Sequence, residues 1–149
     1  MIGYLDTSVL VPLLVAEPSS NACRRFWNDS DEVVSSRLLY IEAAAALAQA
    51  QRMGRLTDVD HRTCLRVLER LWAEVEIAEI DQDLVVRAAE LARRFALRGY
   101  DAMHCAAAVQ LDDPNLVAAS GDQQLLRAWG ELGIATFDSN SQPPPVAEA

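Results

Sequence analysis

The sequence predicts an α/β protein in which helices cover both faces of a parallel sheet. Short apolar runs alternate along the chain with longer segments whose apolar residues recur at helical spacing. Strands separated by helices need crossover connections, and these place the strands parallel to one another. The length of 149 residues fits one domain. We expect a single domain over residues 1–138 and a disordered tail over residues 139–149, which include three consecutive prolines.

Five apolar runs are the predicted strands. The run at 75–80 alternates apolar with acidic residues, which is typical of an outer strand with one exposed face. The other four runs are short and apolar, as expected for buried strands. The predicted strands are residues 2–5, 33–34, 75–80, 116–119 and 134–137.

The predicted helices begin at short polar residues, and two of them end at glycines. Gly54 is expected to end the helix 37–53, and Gly99 to end the helix 82–98. The helix 37–53 and the helix that begins at Thr57 are expected to form a hairpin. The other predicted helices are residues 19–30, 101–111 and 123–132, together with one that begins at Thr7 and Ser8.

The charge composition excludes several classes of function. The formal net charge is −9, so the overall field of the protein would repel nucleic acid, and a polyanion would need a local patch or a metal. All 13 basic residues are arginine. Because a P-loop requires a lysine at the phosphates, ordinary nucleoside-triphosphate chemistry is excluded.

The cysteines and the amino terminus indicate the cellular compartment of the protein. The three cysteines, Cys23, Cys64 and Cys105, are odd in number and widely spaced, which argues against a disulfide framework or a zinc site. The amino terminus lacks the pattern of a signal peptide, and no apolar run is long enough to span a bilayer. We therefore expect a reduced, cytoplasmic protein with no membrane contact.

Two carboxylates lie just past the ends of predicted strands. Asp6 comes after the strand 2–5, and Asp122 comes shortly after the strand 116–119. Ligands of parallel α/β sheets bind at the carboxyl ends of the strands, which makes both residues candidate site residues. Each could instead be only the N-cap of the helix that follows it.

Two further carboxylates lie in predicted helices. The neighbours of Glu42 at helical spacing are all apolar, so its charge needs a partner, and a salt bridge with Arg37 is the structural alternative. Asp101 lies at the beginning of an alanine-rich helix, where the helix dipole favours a negative charge and capping is again an alternative.

Taken together, the four carboxylates predict a metal site. Several carboxylates close together raise each other's proton affinity unless a cation compensates for their charge. Oxygen ligands without a histidine cluster suit Mg²⁺ or Mn²⁺ rather than zinc. One or two such ions would lower the pKa of a bound water.

These residues also carry a family resemblance. The motifs are Leu5-Asp6-Thr7-Ser8, Glu42 in its helix, Leu-Arg-Gly-Tyr-Asp-Ala-Met-His at 97–104, and Ser120-Gly121-Asp122. In order and spacing they resemble the acidic motifs of PIN-domain ribonucleases, in particular VapC-type toxins of toxin–antitoxin pairs. The resemblance extends from residue 1 to about residue 137.

The resemblance implies a PIN-like three-layer fold with a five-stranded parallel sheet. It also implies Mg²⁺-dependent cleavage of single-stranded or looped RNA, a homodimer, and an antitoxin that blocks the site. Asp6, Glu42, Asp101 and Asp122 fall on the acidic positions of the family. Ser8 and Ser120 match the small polar positions beside them.

Alternative interpretations remain open at this point. The chain could be a non-catalytic module whose acidic pocket binds a metal or a basic partner. A phosphatase of the haloacid dehalogenase type is less favoured, because that family has a second aspartate where this chain has Ser8.

Several other residues are of interest near the predicted site. His104 could touch a phosphate, but a packed, hydrogen-bonded histidine is the favoured interpretation. Arg24, Arg25 and Arg37 are candidate RNA contacts.

Overall fold

Five parallel strands form the centre of the protein, described here over residues 1–141 by a computed structural model. The strands are β1 (Ile2–Leu5), β2 (Glu32–Ser36), β3 (Val75–Ala78), β4 (Leu116–Ser120) and β5 (Ala135–Asp138). Their order in the sheet is β3-β2-β1-β4-β5, and every neighbouring pair is parallel. The predicted parallel sheet is therefore confirmed, and β3 is an edge strand as its alternating pattern indicated.

Seven helices flank the sheet within the described residues. They are α1 (Thr7–Leu14), α2 (Ser20–Asp29), α3 (Leu38–Arg52), α4 (Asp58–Trp72), α5 (Gln82–Phe95), α6 (Gly99–Leu111) and α7 (Gln123–Glu131). The helices α3 and α4 pack against each other as the predicted hairpin. The fold is the three-layer α/β arrangement expected from the sequence.

Two separate hydrophobic clusters show which face of the sheet each helix covers. Successive side chains of a strand point to opposite faces, and Tyr4 and Leu5 of β1 accordingly belong to different clusters. The cluster around Tyr4 contains residues of α5, α6 and α7, whereas the cluster around Leu5 contains residues of α1 to α4. The centre of the sheet is thus covered on both faces, which explains why β1 and β4 read as continuous apolar runs.

The strand order creates a crevice beside β1. The chain builds the sheet outward from β1 through β2 to β3, and then returns to the other side of β1 for β4 and β5. Loops that leave β1 and β4 in opposite directions open a cleft at the carboxyl ends of these strands, which is where open α/β sheets bind ligands. Asp6 follows β1, and Asp122 follows β4.

The boundary between α5 and α6 differs from the prediction. The helix α5 ends at Phe95, and Ala96 takes the left-handed conformation with φ of 55° that was expected of a glycine. Gly99 is instead the first residue of α6. The prediction that Gly99 ends the helix was wrong because Leu97 turns inward to become buried, and this requires the chain to leave the helix earlier.

The packed part of the chain extends beyond residue 138. Ser139 is buried, and its backbone N–H donates to the carbonyl of Ser120 at 3.0 Å. The side-chain amide of Asn140 donates to the carbonyl of Gly121 at 3.2 Å. The rest of the predicted tail, 142–149, lies outside the described residues, so its disorder stays a prediction.

Candidate active site at the carboxyl edge of the sheet

Asp6 lies at the end of β1, where its carboxylate is almost completely buried, with 4% of the residue exposed. Its Oδ1 accepts hydrogen bonds from the Ser8 backbone N–H at 3.1 Å and from the Ser8 hydroxyl at 2.5 Å. Its Oδ2 accepts a hydrogen bond from the Ser120 hydroxyl at 2.6 Å. The first of these contacts caps α1, so the capping role considered from the sequence is real.

The environment of Asp6 disfavours a bare negative charge. Burial is the main cause that raises the pKa of Asp6, and the nearby charge of Asp101 adds to it. The electrostatic interaction with His104 and the hydroxyl contacts from Ser120 and Ser8 lower the pKa of Asp6 in part. A cation beside Asp6 would offset the cost of burying its carboxylate.

The two serines connect the ends of β1 and β4. The hydroxyl of Ser120 accepts from the backbone N–H of Asp122 at 2.9 Å, and the hydroxyl of Ser8 accepts from the backbone N–H of Gly121 at 2.8 Å. The Asp122 carboxylate accepts from the backbone N–H of Leu125 at 3.0 Å and caps α7. Ser8 and Ser120 therefore fix the loop that carries Asp122 relative to Asp6.

Glu42 finds its partner in His104 rather than in Arg37. The Oε1 atom of Glu42 lies 2.7 Å from Nε2 of His104. The other ring nitrogen, Nδ1, lies 2.8 Å from the hydroxyl of Tyr4. Arg37 instead forms a two-contact ion pair with Glu79, so the alternative of a Glu42–Arg37 salt bridge does not apply.

Asp101 lies in the first turn of α6. Its Oδ2 is 3.3 Å from Nε of Arg98, whose side chain is 86% exposed, so this ion pair contributes little to stability. The capping alternative does not apply, because the N-cap position of α6 is occupied by Arg98.

Three of the four candidate acids line two separate cavities. Glu42 and Asp101 line a cavity of about 710 Å³, whose other walls are mainly apolar side chains of α5 and α6. Asp122 and Ser8 line a second cavity of about 420 Å³, together with Glu17 of the loop after α1. Asp6 lines neither, but it contacts Ser8 of the second cavity and is affected by the charge of Asp101 of the first.

The donor set fits a hard divalent cation. The candidate ligands are carboxylate oxygens, with hydroxyl groups beside them, and this chemistry suits Mg²⁺. Asp6 accepts three hydrogen bonds, which leaves capacity on its oxygens for a metal. Within residues 1–141, however, no three acidic, histidine or cysteine side chains are grouped closely enough to hold one ion together.

Sequence reasoning missed the roles of Tyr4 and His104. His104 is packed and hydrogen-bonded as expected, with 1% of the residue exposed, but its partner Glu42 was not anticipated. The sequence did contain a sign of this contact. The apolar helix face around Glu42 means that a hydrogen-bond donor must come from elsewhere in the chain, and His104 is one of only two histidines.

Comparisons with known proteins place the chain in a family. Its sequence matches the family model of the PIN domain over residues 3–129. The chain belongs to the PIN-domain family. Ribonuclease VapC45 of Mycobacterium tuberculosis (strain CDC 1551 / Oshkosh) is 40% identical to it over 122 residues, which are 82% of this chain and 85% of the relative. The resemblance to VapC-type PIN-domain ribonucleases is thereby confirmed.

Solved PIN-fold structures agree with the architecture. The structure of VapBC2 from Rickettsia felis bound to a DNA fragment from their promoter has a TM-score of 0.64 at 12% identity, covering 93% of this chain and 98% of that one. The structure of Mycobacterium tuberculosis VapC20, described as a sarcin–ricin loop cleaving toxin, has a TM-score of 0.65 at 19% identity. It covers 85% of this PIN-domain chain and 94% of VapC20. At these identities the two structures support the fold alone.

Among residues 1–141, no helix is both long enough and apolar enough to cross a bilayer.

Proposed function

We propose that this PIN-domain protein is a Mg²⁺-dependent endoribonuclease that cleaves single-stranded or looped RNA and acts as the toxin of a type II toxin–antitoxin pair. The observation that carries the proposal is the buried Asp6 carboxylate at the β1–β4 crevice, which is held by the hydroxyls of Ser8 and Ser120 and is affected by the charge of Asp101. Mn²⁺ would substitute for Mg²⁺, since it accepts the same oxygen ligands.

Each residue of the proposed site would have its own role. Asp6, Asp101 and Asp122 would hold the cation, and Glu42 would act as a ligand or orient the attacking water. Ser8 and Ser120 hold the Asp6 carboxylate in place through their hydroxyls. When bound, the cation lowers the pKa of a coordinated water and stabilises the charge that develops on the phosphodiester.

A cleavage assay tests this assignment directly. Purified protein is incubated with RNA in EDTA and then with added Mg²⁺ or Mn²⁺, and the new RNA ends are sequenced. Cleavage that depends on the cation supports the proposal. No cleavage of any single-stranded or looped RNA under these conditions would contradict it.

A polar groove beside the second cavity is a candidate path for the RNA. A third cavity of about 330 Å³ shares Ser19, Ser139 and Asn140 with the second cavity. Arg25 of α2 lines this third cavity, so a basic side chain lies along the route that leads to Asp122. Of the three arginines predicted to contact RNA, Arg25 is therefore retained, while Arg37 is already paired with Glu79.

Replacing Arg25 by alanine is expected to weaken RNA binding and its salt dependence. Loss of one phosphate contact lowers the slope of log K against log salt by about 0.7 for a single strand. The measurement is RNA affinity at several salt concentrations with the non-cleaving Asp6→Asn protein. Arg62 of α4 is the matched control, because it is exposed and lines none of these cavities. An equal change in Arg62→Ala would contradict the assignment of Arg25.

An antitoxin and a second copy of the chain are the proposed protein partners. A toxin–antitoxin complex from Klebsiella pneumoniae is among the solved structures that this chain resembles. The cavity that contains Glu42 and Asp101 combines mainly apolar walls with these two carboxylates and Arg98. This chemistry suits a partner segment with apolar side chains and an arginine or lysine. Co-purification with the product of the adjacent gene, together with loss of cleavage in that complex, tests the antitoxin. Light scattering of the isolated chain tests the homodimer.

The competing function is a non-catalytic PIN-like module that binds a metal or a basic partner. The separation of Asp122 from Glu42 and Asp101 into two cavities favours it, since a working site needs these groups to converge on one cation. Mg²⁺ binding without RNA cleavage would support the module.

A cytoplasmic location stays a prediction from the three free cysteines.

A further inference from the structure

His104 connects the two helical layers near the carboxyl end of β1. It lies on α6, in the layer that contains Tyr4, while Glu42 lies on α3 in the opposite layer. Both His104 and Tyr4 are buried, whereas the Glu42 side chain is 19% exposed. A series of hydrogen-bond contacts therefore runs from the buried Tyr4 through His104 to Glu42, at the wall of the cavity of about 710 Å³. The first contact is 2.8 Å long and the second 2.7 Å.

The two contacts fit one arrangement of the ring proton, in which Tyr4 donates to Nδ1 and the proton lies on Nε2. The Tyr4 hydroxyl is buried and lies 2.8 Å from Nδ1, where it can donate to the ring. When Tyr4 donates to Nδ1 of a neutral imidazole, the ring proton resides on Nε2. Nε2–H then donates to Oε1 of Glu42, and the network is satisfied at every step.

We propose that His104 is a positioning residue for Glu42, with its ring and tautomer fixed by Tyr4. This proposal rests on the proposed nuclease function, in which Glu42 acts on a metal or a water. His104 holds one oxygen of the carboxylate, Oε1, and so leaves the other for the metal or water. Groups that orient ligands in this way affect metal sites strongly, although they touch neither metal nor substrate.

The position of Glu42 explains why a buried donor is needed. Its neighbours on α3 are apolar, so α3 itself offers no group to fix the carboxylate. The side chain is partly exposed, and without His104 it could turn toward water. His104 provides a rigid donor, because its ring is held on both sides and packs edge-on against Tyr4 with 5.9 Å between the ring centroids.

Three substitutions separate positioning from packing. His104→Leu removes the donor, and His104→Gln keeps an amide donor at the position of Nε2. Tyr4→Phe keeps the ring volume but removes the hydroxyl that fixes the tautomer. His61→Leu is the matched control, because His61 on α4 is the other histidine of the chain and lines none of the site cavities. Thermal melts check that each variant is folded.

The kinetic result expected is a loss of kcat with an unchanged KM for RNA. His104→Leu should lower kcat by about 10- to 100-fold and raise the Mg²⁺ concentration needed for half-maximal rate. His104→Gln should retain most of kcat, Tyr4→Phe should lie between the two, and His61→Leu should match the wild type. A folded His104→Leu protein with wild-type kcat and Mg²⁺ requirement overturns the proposal, as does equal loss in His104→Gln and His104→Leu.

A second measurement does not depend on catalysis. Long-range ¹H–¹⁵N NMR reports which imidazole nitrogen carries the proton, and His61 provides the internal reference. We expect a proton on Nε2 of His104, a shift of that nitrogen in Glu42→Gln, and a changed tautomer population in Tyr4→Phe. The proposal is overturned if Nε2 of His104 carries no proton, or if the ring signals of His104 are unchanged in both Glu42→Gln and Tyr4→Phe. If the wild type cleaves no RNA, the nuclease function fails, and this spectrum still decides the positioning of Glu42.

Discussion

At the scale of single residues, Asp6 combines two roles in one carboxylate. It caps α1 through the backbone N–H of Ser8, and it is held from the other side by the hydroxyl of Ser120. A cap alone would be exposed to solvent in most helices, whereas this one is buried, and its pKa is raised by that burial. The charged form is thus costly without a cation, and a cation is what the proposed reaction supplies.

Asp6→Asn is expected to abolish cleavage and to stabilise the metal-free protein slightly. Asparagine still accepts from Ser8, but it binds a divalent cation poorly, so the rate should fall by at least about 100-fold, each tenfold loss corresponding to about 1.4 kcal/mol. A raised pKa in the folded state means that stability from Asp6 is present at low pH and is lost as pH rises through the folded pKa. In EDTA the variant should lack this decline.

Thermal melts in EDTA and in Mg²⁺, beside the cleavage assay, measure both effects. Asp81→Asn is the matched control, because Asp81 caps α5 through the backbone N–H of Leu84 at 2.9 Å and lines neither acidic cavity. Since asparagine caps as well as aspartate, the control should change neither quantity. Wild-type cleavage by Asp6→Asn, with the same rise in Tm on adding Mg²⁺, would reduce Asp6 to a cap.

At the scale of elements, the junction between α5 and α6 positions Asp101. The helix α5 ends in a left-handed residue, Ala96, and the next residue, Leu97, is buried. The chain then enters α6 at Gly99, which places Asp101 in the first turn of that helix. A left-handed alanine is strained relative to glycine, so this turn is held by the packing of its neighbours rather than by local preference.

Ala96→Gly is therefore expected to stabilise the protein by about 0.5–1 kcal/mol, because glycine adopts positive φ without steric cost. Denaturant unfolding of the purified protein measures the change. The matched control is Ala89→Gly, an exposed position in the middle of α5, which should destabilise by about 1 kcal/mol. Destabilisation by Ala96→Gly would show that Ala96 is not left-handed in solution.

At the scale of the whole molecule, the core covers both faces of the sheet and contains all three cysteines. Cys64 lies on α4, Cys23 on α2 and Cys105 on α6, so the thiols sample both helical layers. Burial raises the pKa of each thiol, and that of Cys105 to about 12. Their reactivity consequently reports the integrity of the two halves of the core.

In the native protein at pH 8, alkylation of the three thiols is expected to be at least about 1,000-fold slower than in urea, because the reactive thiolate is both scarce and inaccessible. Timed iodoacetamide labelling followed by mass spectrometry of each cysteine peptide measures the rates. The urea-unfolded protein supplies the reference rate for every site. Rapid labelling of one cysteine alone would indicate local opening of its helix.

The sequence by itself determined the fold class and the four acidic candidates. Short apolar runs between helical segments require a parallel sheet, and the placement of Asp6 and Asp122 directly after strands puts them at its carboxyl edge. The ordered acidic motifs were enough to recognise the PIN family, which the comparisons bear out. Such features are local or periodic, so they can be read without knowing which elements touch.

Only the tertiary structure decided which side chains meet. His104 reaches Glu42 across 62 residues, and Tyr4 reaches His104 across 100, so neither contact follows from local spacing. The local preference for glycine at helix ends misplaced the end of α5, because burial of Leu97 outweighed it. Partner choice in the interior depends on which elements the sheet order brings together, and the strand order β3-β2-β1-β4-β5 is fixed by the packing of the whole chain.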